Sequence, residues 1–238
     1  MKIVFTPDWF LGNDLLINII SFLVLFLFFI FTCKCYSLDN KKSTFYLGVG
    51  FLLIAFGELS TILTKIVLYY DTNITQEIGR AVINYQIVQS VDIFYNLGFF
   101  LNKFFTLTGL YVIFKLPSSK KLSIDFFLTI YLIFTIILLS NNFQYIYHLT
   151  ALIILVLIVN NYYQIYKKDK LVNTLILISA FALLSLSQVL FMVSKLNYFC
   201  VGAQSVQLVS YITLLILIIS IIKNGKKKKQ NRYNTRHA

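Results

Sequence analysis

Apolar positions along the chain come in long unbroken runs rather than in the alternating or one-faced patterns of soluble strands and helices. Seven runs stand out, at about 15–36, 44–70, 92–115, 124–140, 145–166, 171–195 and 201–222. Each is close to the ~20 mainly apolar residues that a helix needs to cross a bilayer's hydrocarbon. Their continuous apolarity excludes transmembrane strands, which alternate outward apolar and inward polar positions. The first run begins too far from residue 1, and continues too long, for a cleaved signal peptide. The pattern predicts an all-α membrane protein: a seven-helix transmembrane bundle over residues 1–223 with a basic tail at 224–238.

Composition agrees with this reading. The 238 residues are 58% hydrophobic, 17% aromatic and only 13% charged, with a mean hydropathy of +0.78. A soluble domain carries about a quarter charged residues, and disordered chains are poor in aromatics and rich in charge. The net charge of +12 would suggest nucleic acid in a soluble protein. Here the basic residues stand in short links and in the tail, so no nucleic-acid partner is expected and the bilayer is the main surroundings.

Their placement predicts orientation. Lys34, Lys41 and Lys42 follow the first run, Lys115, Lys120 and Lys121 the third, and Lys167, Lys168 and Lys170 the fifth. With the seven Lys and Arg from Lys223 onward, sixteen of the 21 basic residues fall on one side. By the positive-inside rule that side is cytoplasmic, the N-terminus is outside and the C-terminus inside. The tail residues Lys226, Lys227, Lys228, Lys229 and Arg232 are expected to bind anionic headgroups, each contributing about 1 kcal/mol near the surface. Trp9 marks the outer interface. The longest link, 71–91, lies outside; its second half is expected either as an interfacial helix or as an outward extension of the third span. It contains Asn73-Ile74-Thr75, a glycosylation sequon.

A weak internal repeat appears at an offset of 130. Residues 50–65 lie over 180–195, with Phe51 on Phe181, Leu53 on Leu183, Glu58 on Gln188 and Lys65 on Lys195. Upstream, Tyr36 lies over Tyr166 and Asp39 over Asp169. Two three-helix units separated by a single span would make a parallel 3+1+3 repeat. An outside N-terminus, seven spans, a basic tail and this repeat resemble the broad transporter–opsin–receptor architecture, and more narrowly the seven-helix sensor-type membrane modules of prokaryotes. The resemblance implies a sensing role. It carries no diagnostic motif: the seventh span has only Lys223, at its inner end, so no retinal is expected. The third ends YVIFKLP, without the arginine motif of G-protein-coupled receptors.

Charges inside the hydrocarbon carry the candidate chemistry, because each costs roughly 2.5–3.5 kcal/mol at mid-helix and needs a partner or a purpose. Glu58 and Lys103 fall at similar depth on consecutive antiparallel spans, which predicts an ion pair. Asn96, Asn102 and Gln188 are expected to complete a polar cluster that is either a ligand site or an interhelical clamp. Lys65, seven residues beyond Glu58, is expected to snorkel to the outer surface. Asp14 and Asp92 open the first and third spans. Five glycines, Gly48, Gly50, Gly57, Gly98 and Gly109, predict close packing of spans two and three.

Metal and catalytic signatures are missing. His148 and His237 have no ligand neighbours at metal spacing, Cys33 and Cys35 form only a juxtamembrane C-x-C, and no catalytic motif occurs. No enzyme activity, cofactor or metal is expected. The chain reads as a multi-pass integral protein of a plasma or cell membrane. Its expected role is a sensor or receptor-like module passing a ligand-dependent helix shift to a membrane or cytoplasmic protein partner. The alternatives are a small-solute or ion transporter and a structural subunit of a membrane complex.

Overall fold

The computed structural model describes residues 10, 12–40, 42–77, 84–115, 124–140, 144–193 and 197–234. Side chains at 38–39, 68–77, 84–95, 124–127, 144, 197 and 223–234 lie outside that description. All regular structure among the described residues is helical: α1 Asn13–Asp39, α2 Lys42–Glu77, α3 Asn84–Lys115, α4 Ile124–Ser140, α5 Gln144–Asp169, α6 Val172–Met192 and α7 Asn197–Asn234. Six of them are long and apolar enough to cross a membrane. The exception is α4, whose 17 residues rise about 25 Å, at the short limit for a span.

Large apolar side chains point outward on every helix, among them Leu23, Leu132, Ile153, Leu186 and Ile216, each about half exposed. An aqueous surface does not tolerate this density of apolar area; lipid does. The chain is therefore a multi-pass, all-helical membrane protein.

Consecutive helices pack in order through α3, α5 packs on α3 and α6, and α7 returns to α1. The result is a closed ring α1–α2–α3–α5–α6–α7, with α4 outside it against α3 and α5. The tightest seam is α2–α3, and glycine makes it possible. A Cβ at Gly109 would stand 2.6 Å from the Gly50 carbonyl oxygen and 2.8 Å from Ile54 Cγ1, and one at Gly57 2.7 Å from Thr106 Oγ1. Cβ atoms at Gly98 and Gly48 would collide with Thr64 and Thr32. Four glycines thus serve the α2–α3 seam and Gly48 the α1–α2 seam.

Two turns share one geometry. Asn40 closes α1 in the left-handed region (φ 51°), its N–H donating to the Tyr36 carbonyl at 2.8 Å. Lys170 follows α5 at φ 49°, its N–H donating to the Tyr166 carbonyl at 2.7 Å. Such caps satisfy carbonyls that a helix end leaves open.

Several expectations change. Much of the 71–91 link is helical: α2 runs on to Glu77 and α3 starts at Asn84, so α3 is continuous with the apolar stretch that follows it rather than preceded by a separate interfacial helix. Asn73 consequently lies on the α2 backbone rather than in a loop, and Asp92 lies two turns inside α3 rather than at its start; neither side chain is described. Helix α7 remains helical through Asn234, so the backbone of the basic tail at Lys226–Lys229 and Arg232 is helical, while those side chains lie outside the described residues. Trp9 does so too.

Candidate functional site

Polar interior residues gather toward the end of the bundle where α2 passes to α3, α4 to α5 and α6 to α7. Glu58 lies at their centre, 7% exposed on α2. Gln207 Nε2 and the Tyr211 hydroxyl, one turn apart on α7, both donate to its Oε1, at 3.0 and 3.2 Å. Gln207 Nε2 is also 3.1 Å from the Tyr211 oxygen. Helices α2 and α7 are not among the extensively packed pairs, so these side chains bridge the ring's interior. Tyr147, from the first turn of α5, is 8% exposed. Its hydroxyl is within hydrogen-bond reach of Thr106 on α3 and within Coulombic reach of the Glu58 carboxylate.

Lys103 does not pair with Glu58. Its ammonium donates to Ser140 Oγ, the last residue of α4, at 2.9 Å and stands 5.8 Å from the Tyr147 ring centroid. The reason is azimuth rather than depth. Asn102 and Gly57 occupy the α2–α3 seam, with Asn102 Nδ2 donating to the Gly57 carbonyl at 2.9 Å. One residue further on turns each helix face by about 100°, which swings Glu58 toward α7 and Lys103 toward α4 and α5. A buried carboxylate and a half-buried ammonium thus both lie near Tyr147, each hydrogen-bonded by neutral groups.

Lys65 does not snorkel freely. It forms a 2.8 Å ion pair with Asp14, whose side chain is 1% exposed against 14% for the lysine. Asp14 Oδ1 also accepts from the backbone N–H of Gly12 and Leu15, at 3.1 and 2.8 Å, tying the α1 start to α2. Gln188 is placed apart from Glu58, 2.9 Å from His148 Nδ1, with the imidazole stacked on Phe191 at 5.2 Å. Asn96 is exposed on α3. Of the expected cluster, only Asn102 bonds across the α2–α3 seam, beside Glu58 and Lys103 in sequence; Glu58 and Lys103 face different neighbours, and Lys65, Gln188 and Asn96 stand elsewhere.

Gln207, Tyr211, Tyr147, Thr106 and Ser140 went unread in the sequence. A signal existed for two of them: Gln207 and Tyr211 share one face of an otherwise apolar helix at i, i+4 spacing. Below this polar end the interior is aromatic. Phe28 and Phe51 rings lie 4.3 Å apart, Phe51 stacks on Phe181 at 6.0 Å, and Phe181 on Tyr162 at 5.9 Å. Phe51 and Phe181 are fully buried.

Among the described residues no group of three or more His, Cys, Asp or Glu stands together as a metal site. Compared with known proteins, the chain matches no family model, no curated protein and no solved structure.

Proposed function

We propose that this protein is a seven-helix receptor-like module whose ligand binds at the Glu58–Tyr147–Tyr211 centre. The observation that carries the reading is the asymmetry of the interior. Polar groups from α2, α3, α5 and α7 converge in one half, and the Phe28–Phe51–Phe181–Tyr162 stack fills the ring beneath them. A polar centre confined to one half of the interior suits sensing rather than through-passage. Because the Glu58 bonds span helices that are otherwise barely packed, a ligand exchanging for Gln207 or Tyr211 shifts α7 relative to α2. In the orientation set by the Lys and Arg bias, the site faces outside and α7 carries the shift to the cytoplasmic Lys226–Arg232 segment. There it meets anionic headgroups and a signalling partner.

A thermal-shift screen of detergent-purified protein against sugars, amino acids, nucleotides, ions and lipids tests the reading. A ligand is expected to raise the melting temperature of wild type and not of Glu58→Gln. If no ligand's effect depends on Glu58, the site is a structural clamp and the receptor reading fails.

Transport is the second reading, and one set of observations favours it. The turn residues Asn40 and Lys170, with their Tyr36 and Tyr166 acceptors, are related by the same offset of 130 that relates Phe51 to Phe181. Residues related by a two-fold axis meet only where they lie close to it, and Phe51 and Phe181 do stack on each other. The α3–α5 contact likewise mirrors α7–α1. These features support a parallel duplication of α1–α3 in α5–α7, an arrangement shared with transporters built from repeats. Uptake of a Glu58-dependent ligand into proteoliposomes distinguishes the two readings.

Orientation has its own test. In a background with Cys33, Cys35 and Cys200 replaced by serine, Lys2→Cys should react with a membrane-impermeant maleimide in intact cells. Ala238→Cys should react only after permeabilisation. The reverse pattern would invert the topology.

A further inference from the structure

The separated charges around Tyr147 define the ligand's chemistry; this inference rests on the receptor reading of the same centre. Gln207 and Tyr211 both donate to Glu58 Oε1, and among the described residues no group hydrogen-bonds Oε2. Ion pairing does not neutralise the carboxylate: the one salt bridge among the described residues joins Lys65 to Asp14. Lys103 has the complementary position. Its ammonium has three donors, of which Ser140 Oγ takes one at 2.9 Å; the Tyr147 ring lies 5.8 Å away and His148 is within Coulombic reach. In a low-dielectric interior a charge is stable when an opposite charge and hydrogen bonds meet it. Here neither charge has an ion-pair partner of its own among the described residues: Lys65, the cation that acts on Glu58 through space, is already paired with Asp14, and both charges lie near Tyr147.

We infer that the centre binds a small zwitterion, its ammonium on Glu58 Oε2 beside Tyr147 and its anionic group on the Lys103 ammonium. One molecule of that kind supplies a direct ion-pair partner to each charge without adding net charge to the interior. A lone amine leaves Lys103 unmet, and a lone anion leaves Glu58 unmet. The chemistry is shared by free amino acids and by the ammonium–phosphate headgroup of phosphatidylethanolamine.

The test uses the full chain, in detergent for soluble probes and in nanodiscs for lipids. Glycine, β-alanine, 4-aminobutyrate and 6-aminohexanoate grade the distance between charges, and n-butylamine and butyrate carry one charge each. At saturation at least one zwitterion should raise the melting temperature by about 5 °C, with neither single-charge probe doing so. That rise should vanish in Glu58→Gln and in Lys103→Met but persist in Asn96→Ala, which alters an exposed residue. If soluble probes fail, replacing phosphatidylglycerol nanodiscs by phosphatidylethanolamine nanodiscs should stabilise wild type and neither charge variant, identifying the headgroup as the source. Stabilisation by n-butylamine or butyrate alone, lost in Glu58→Gln, would overturn the zwitterion and leave the receptor reading standing. A zwitterion effect that survives both charge substitutions, or no stabilisation in any arm, would overturn the inference. Whether the receptor reading then falls is decided by the broader ligand screen.

Discussion

Gly109→Val should be among the most damaging single substitutions in this protein, while Gly202→Ala should be nearly silent. The new Cβ at position 109 would stand 2.6 Å from a backbone oxygen, that of Gly50, and 2.8 Å from Ile54 Cγ1. A flexible side chain can retreat from such a contact, but a helix backbone moves only if the whole α2–α3 seam opens. Overpacking of this kind costs roughly 1–3 kcal/mol, at times more. For a chain of this size that is a loss of about 5–10 °C in melting temperature. At Gly202 an added methyl meets nothing within 4 Å, and alanine favours the helix. Thermal unfolding of the two variants in the same detergent checks the expectation. Equal melting temperatures would mean that α2 and α3 do not approach this closely.

Lys65→Met is expected to destabilise by about 3 kcal/mol, because breaking a buried pair by removing one member weakens the compensation of the other charge. Asp14, at 1% exposed, has nowhere to go, whereas Lys65, at 14%, retains some access to the surface. Asp14→Asn should therefore cost less, since an amide oxygen still accepts from the Gly12 and Leu15 N–H groups that Asp14 now satisfies. The Asp14→Asn/Lys65→Met double variant should recover most of the Lys65→Met loss. A coupling energy of at least about 1 kcal/mol in the double-mutant cycle is the expected readout. Simple additivity would show that the pair contributes nothing and that α1 is held by apolar packing alone.

Depth in the membrane is legible in a sequence because it follows from counting residues along an apolar run. That counting placed Glu58 level with Lys103 and located the fourth helix at 124–140, the range that α4 occupies. It placed Asp14 at the start of the first span and Lys65 toward one end of the second without revealing that they meet. Which way a side chain faces depends on rotation about the helix axis, and continuously apolar helices leave that rotation almost unmarked. Asn102 and Lys103 illustrate the cost: one residue apart, they serve the seam with α2 and the junction with α4 and α5 respectively.

The number of helices, the placing of their apolar stretches, the membrane setting and the close α2–α3 packing were decided by the sequence alone, whereas the polar extensions of α2, α3 and α7 were not. The bilayer requires some 20 apolar residues per crossing, and only glycine lets two helix backbones approach so closely. Tertiary structure alone decided the partners. It placed Glu58 on Gln207 and Tyr211, Lys103 on Ser140 and Tyr147, and Lys65 on Asp14. Those choices depend on how seven helices rotate and order themselves into a ring, which is a property of the packed whole and not of any one run.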